Sequence, residues 1–181
     1  PRYHDLTPPL RLPHMTSLPL IPDSLPVPRG FTTPRVRVRP LTIHDLDADH
    51  EAVMSSLEYL QQSEPFGPDH DWPTSALTRD QDLIDLGWHQ KEFQNRTSFA
   101  YTVMSPDDTR CLGCVYLYPS TRQGHEVQIM LWVRASEVTS GLDQHLYDAV
   151  RSWIMEQWPF ESPAYPGRTL SWEEWNALPS A

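Results

Sequence analysis

The sequence predicts an α+β domain built on a mixed or antiparallel central sheet flanked by helices. Three observations carry that prediction. An alternating stretch, RVRVRPL (35–41), is followed by two helix-like segments. Three strand-like runs then come in succession, and an amphipathic helix follows them. The expected order is strand, helix, helix, three strands, helix, short strand.

The first 34 residues hold nine of the nineteen prolines, which rules out helix there because proline lacks the amide donor and crowds the preceding turn. Leu6, Leu10, Leu12, Leu18, Leu20, Ile21, Leu25 and Val27 are spread through it, so it reads as an extended apolar arm (1–34) ahead of a folded domain (35–181). Such an arm lies on its own domain or on a second subunit, and in the second case it builds a homodimer. In 35–41 the arginines share one face. Thr42, with Asp45 three residues on, caps a helix over 43–62 with Leu46, Val53, Leu57 and Leu60 inward. SEPFGPDHDWP (63–73) is loop. Thr78 caps a second helix, 79–94, with Leu83, Ile84, Trp88 and Phe93 on its apolar side.

Strands are expected at 97–105, 110–119 and 125–134, with PDDT (106–109) a tight turn and STRQG (120–124) a longer link. The helix over 142–158 buries Leu142, Leu146, Ala149, Val150, Trp153 and Ile154, and Pro159 stops it. In the tail, PFESPAYPG supplies a short strand weakened by its prolines. Ser171 and Glu174 form a capping box for a short last helix, and Trp153, Trp158, Trp172 and Trp175 pin the tail to the core.

At 39% hydrophobic and 10% aromatic over 181 residues, the composition is that of a globular chain able to bury a core. A formal charge of −10, from 24 acidic against 14 basic residues, argues against nucleic acid or an anionic membrane as the main partner. No apolar run approaches the ~20 residues of a membrane helix. The first residues lack a charged stretch followed by an apolar core, so no secretory signal is expected, and reduced thiols at the two cysteines make a cytoplasmic location the default expectation. Cys111 and Cys114 form a CxxC inside strand-like sequence, without a second CxxC or an HxxxH. They read as two reduced, packed thiols, and no metal site is expected. Asp69, His70 and Asp71 are adjacent and cannot all face one metal on regular structure.

The element order, and the loop VRASEVTSGLD (133–143), resemble the GNAT N-acetyltransferase superfamily over about 35–158. Its phosphate-binding motif, Q/R-x-x-G-x-G/A, follows a strand that ends in valine. Val133 takes that valine's place, Val138 the Q/R position, Gly141 the first small position and Asp143 the second, so one of the three defining residues matches. Leu146 stands where the family usually has leucine. The resemblance implies an acetyl-CoA-dependent N-acetyltransferase acting on a small-molecule or peptide amine. Acetyl-CoA would then be held by Val138, Thr139, Ser140, Gly141, Leu142, Asp143 and Gln144 at the helix start. Main-chain groups of Leu131, Trp132 and Val133 would hold the thioester carbonyl. First-turn helix amides suit a pyrophosphate, whereas the Asp143 carboxylate competes for the same site.

On the same resemblance, Glu126, with His125 beside it, is the candidate general base, and Tyr165 with Arg168 could line the pocket, Tyr165 as the acid. Tyr165 lies in a turn-like AYPGR and does not match the family's tyrosine by motif, and the family's usual last helix and final hairpin are not expected to fit in the 23 residues after 158. The loop with His70 and Trp72 lies where such enzymes receive the acceptor. The alternative is a GNAT-fold binding or assembly protein that has lost acetyl-CoA chemistry; an unrelated α+β domain is the third reading.

Overall fold

A computed structural model describes residues 18–181. Leu6, Leu10 and Leu12 of the expected arm lie outside the described residues. The sheet has five antiparallel strands in the order of the chain: β1 (Phe31–Thr32), β2 (Arg37–Pro40), β3 (Phe99–Met104), β4 (Cys111–Pro119) and β5 (Val127–Val133). β1 was not expected, since it falls inside the proline-rich arm. Gly30 makes it possible: at φ +110° a side chain here would be strained, and a Cβ would stand 2.0 Å from the Val38 carbonyl oxygen.

Helices cover both faces. On one, α4 (Leu142–Gln157) packs Leu146, Val150, Trp153 and Ile154 against Val115, Leu117, Ile129 and Leu131. On the other, α1 (Leu46–Met54), α2 (Leu57–Ser63) and α3 (Arg79–Asn95) cover Cys114, Tyr116 and Trp132. The single helix expected over 43–62 is instead a 3-10 turn (Ile43–Asp45) followed by α1 and α2. The break falls at Ser55 and Ser56, whose hydroxyls meet backbone and side-chain groups. Ser55 Oγ donates to the Ala52 carbonyl at 3.2 Å, and Ser56 Oγ accepts the Ala135 amide at 3.0 Å.

α3 differs from expectation in which face it buries. Asp82, Leu86 and Phe93 turn inward, whereas Leu83, Ile84 and Trp88 are 40%, 58% and 51% exposed. The N-cap is as expected, with Thr78 Oγ1 accepting from the Gln81 amide at 3.2 Å. The short strand of the tail contracts to one parallel bridge, Ala164 beside Gln128, with Ile129 N–H donating to the Ala164 carbonyl at 2.9 Å. α5 (Trp172–Ala177) carries the expected capping box. Among the described residues no helix is long and apolar enough to cross a membrane.

Candidate functional site

Two cavities adjoin at β5 and share Met130 and Trp172 in their walls. The larger, about 650 Å³, lies between α3, the 64–73 loop, the α1 side of the sheet and α5. α3 supplies Asp82, Asp85, His89 and Glu92, spaced three, four and three residues apart so that all fall on one face. α1 adds Asp49, and the loop adds Phe66, Asp69, His70 and Trp72. The sheet contributes Tyr116, Tyr118, Gln128 and Met130, and α5 contributes Trp172 and Trp175. Phe66 stands edge-on to both Trp72 and Tyr116, with centroids 5.0 and 5.2 Å apart, which fixes the aromatic wall.

The lining is acidic: five carboxylates against one guanidinium, Arg122, which is tied to the Leu178 carbonyl and Asn176. Asp82 is 5% exposed and its Oδ2 has no hydrogen-bond partner. Burial, then the charge of Asp85, push its carboxyl up to about 6 against the opposing pull of His50. Burial also raises Asp85 and lowers His89. Desolvated carboxylates beside aromatic faces make a site for a cation.

The smaller cavity, about 220 Å³, lies where β5 and the tail diverge beyond the Ala164 bridge. It is lined by Met130, Leu131 and Trp132 on one side and Pro166, Gly167 and Arg168 on the other, with Tyr59, Asp143 and Trp172 closing it. Gly141 is the N-cap of α4 at φ +72°, a left-handed conformation that favours glycine, with open space where a Cβ would be. The residues before it, Ala135–Ser140, wind into a 3-10 helix. Arg168 spans the start of α4. Its two terminal nitrogens donate to the two Asp143 oxygens at 2.9 and 2.8 Å, and its guanidinium stacks 5.0 Å over the Tyr147 ring.

The expected site residues divide between these features. His70 and Trp72 line the large cavity. Leu131, Trp132 and Asp143 line the small one, and Val133, Val138, Thr139, Ser140, Gly141, Leu142 and Gln144 lie in the strand end, loop and helix start next to it. Ser140 accepts two bonds from Arg35, at its hydroxyl and carbonyl oxygens.

Glu126, His125 and Tyr165 line neither cavity. Glu126 accepts the amides of Glu161 and Ser162 at 3.1 and 2.9 Å; although burial raises its carboxyl, these bonds hold it below its ordinary value. His125 Nδ1 meets the Ser162 carbonyl at 3.0 Å, and its ring lies against Trp175. Tyr165 is buried edge-on to Tyr147, and burial pushes its phenol up to about 12. Glu126 and His125 hold the tail just ahead of β5, and Tyr165 packs it against α4. Sequence reasoning missed the carboxylate row of α3, Trp172 and the Arg168–Asp143 pair. The available signal for the row was Asp82, Asp85, His89 and Glu92 recurring at helical spacing.

No family model and no curated protein sequence matches the chain. Solved structures do. A ribosomal-protein-S5-alanine acetyltransferase from Vibrio fischeri superposes with TM-score 0.56 at 15% identity, over 70% of this chain and 67% of that one. An acetyltransferase from Salmonella typhimurium that modifies the N-terminal serine of L7/L12 gives 0.54 at 12%, over 70% and 67%. A ribosomal L7/L12 α-N-protein acetyltransferase in complex with coenzyme A gives 0.53 at 14%, over 67% and 64%. The chain thus spans about two thirds of the length of these proteins, and it has the GNAT fold.

Proposed function

We propose that the chain is an acetyl-CoA-dependent N-acetyltransferase whose acceptor is a cationic amine carrying more than one positive charge. The observation that carries this reading is the carboxylate and aromatic lining of the large cavity, which adjoins the small cavity beside the start of α4 at Met130 and Trp172. Asp82 to Glu92 extend about 15 Å along α3 at 1.5 Å per residue, a length that suits a linear amine better than a single ammonium.

The residues fit the cofactor in two respects. The first-turn amides of α4 are approachable beside Gly141, and Arg168 neutralises Asp143. At 220 Å³, below the usual ~300–1,000 Å³ of a whole-ligand pocket, the small cavity takes only the thioester arm and leaves the rest on the surface. Bound acetyl-CoA supplies the acetyl thioester. The chain's own residues orient the amine: Asp82, Asp85 and Glu92 anchor its charged groups, and Trp72 and Trp172 exclude water from the end nearest Met130. The attacking nitrogen must shed a proton. Asp82, raised by burial, and His89, lowered by it, are the acceptors facing the cavity.

The test is thiol release from acetyl-CoA with a panel of linear diamines, triamines and neutral alcohols. Turnover is expected with the amines alone. Asp82→Asn should raise the KM for a triamine by about tenfold or more, the worth of one charge-assisted hydrogen bond. Absence of acetyl-CoA binding by calorimetry at millimolar ligand would overturn the reading. The ion pair across the start of α4 favours a second reading, a binding protein that holds the amine without transfer. Amine binding without acetyl-CoA binding would select it.

A further inference from the structure

Behind the large cavity lies a cluster that acetyl transfer does not use. Cys111, Cys114 and Asp49 are buried, and one ligand atom of each lies within 4.8 Å of the others. A regular strand points residues three apart to opposite faces. Here β4 carries a bulge: Met104 pairs with Cys111 and Val103 with Gly113, which leaves Leu112 extra. Leu112 packs on the α4 side, while Cys111 and Cys114 both face α1.

Asp49 needs compensation. It is 5% exposed, and no arginine or lysine pairs with it among the described residues. The bond it receives comes from Cys114 Sγ at 3.2 Å, a weak donor. Buried carboxylates without such a partner are neutral or bind metal.

We propose that Asp49, Cys111 and Cys114 form a binding site for a thiophilic divalent cation of the zinc type, with a fourth position open to water from the cavity that Asp49 lines. Two thiolates and a carboxylate are a zinc donor set, and zinc bond lengths place neighbouring ligand atoms about 3.3–3.8 Å apart. The present separations need only small rotamer shifts to reach that. Binding releases both thiol protons, and the Asp49 carboxyl proton wherever it is present, to solvent and sets three negative ligand charges against the metal's two positive ones. A disulfide fits less well. Cys111 and Cys114 stand opposite Met104 and Thr102, two strand residues apart, so their Cα atoms are about 6.8 Å apart, at the limit for an S–S bond.

The experiment uses the full chain, reduced and freed of metal by a chelator. Zn2+ titrated against a chromophoric competitor should bind at one equivalent per chain. Co2+ should give a sulfur-to-cobalt charge-transfer band with tetrahedral visible bands. Cys111→Ser and Cys114→Ser should each weaken Zn2+ by at least about hundredfold, beyond the range of outer-sphere losses, and Asp49→Asn should weaken it while keeping the sulfur band. Circular dichroism checks that each variant is folded. The absence of a sulfur-to-cobalt band in the parent chain overturns the site whether or not the serine variants fold. Unchanged Zn2+ affinity in folded Cys111→Ser overturns it as well.

Discussion

Arg168 changes what Asp143 does. Alone at the first turn of α4, a carboxylate is favoured by the helix dipole and repels phosphate. Clamped by two bonds of 2.9 and 2.8 Å, it instead holds a guanidinium at the place where phosphate would arrive. Asp143→Ala should therefore free Arg168 and tighten acetyl-CoA by about tenfold, while Arg168→Ala should loosen it by a similar factor, each worth ~1–2 kcal/mol. Calorimetry on the two variants reads this directly, and equal affinities in both and in the parent chain would move the phosphates elsewhere. The pair was not legible in the sequence, because its members are 25 positions apart and nothing local links them. Gly141 was legible, since a glycine between a strand and a helix has few other reasons to be there.

Among the elements, the strands and helices were readable where burial follows period. β3 to β5 and α4 fall within a few residues of expectation because the strands are short, near-continuous apolar runs bounded by turn residues and the apolar positions of α4 recur at helical spacing. α3 defeated the same rule. Asp82, Asp85 and His89 share the face that looks into a cavity, with Asp82 itself buried, while the helix's apolar Leu83 and Ile84 are left outside. A helix that buries charge and exposes hydrocarbon marks a site, and the large cavity was hidden from periodicity for that reason. In β4 the close approach to β5 depends on Gly113, where a Cβ would lie 2.0 Å from the Trp132 carbonyl oxygen. Gly113→Ala should lower stability by ~1–3 kcal/mol or more in thermal unfolding, through overpacking between β4 and β5. An unchanged melting temperature would mean that the two strands separate freely at this point.

At the scale of the whole molecule, residues 18–34 are fastened to the domain at a few points, with Ile21 alone of them buried in the core. Ile21 is 1% exposed, the Leu20 amide donates to the Arg96 carbonyl at 2.7 Å, and Tyr101 donates to the Pro28 carbonyl at 2.7 Å. Arg96 in turn donates to the carbonyls of Pro22 and Leu25, both at 2.6 Å. Ile21→Ala should lower stability by ~2–5 kcal/mol, the usual loss for such a truncation in a core, and removal of residues 1–34 should lower it further. Chemical denaturation checks both; a loss below about 0.5 kcal/mol for Ile21→Ala, the level of a surface change, would show that the arm is dispensable. The leucines of the arm announced that it was apolar, but proline-rich sequence has no period to say which surface it covers. The order of the sheet bears on how the molecule assembles. Because β3, β4 and β5 pair with their neighbours in chain order, they close through short loops at low entropic expense. The arm must instead find partners 71 to 74 positions away. Its docking therefore comes late on the folding path, after the meander is complete, and its release is the first opening on the way out.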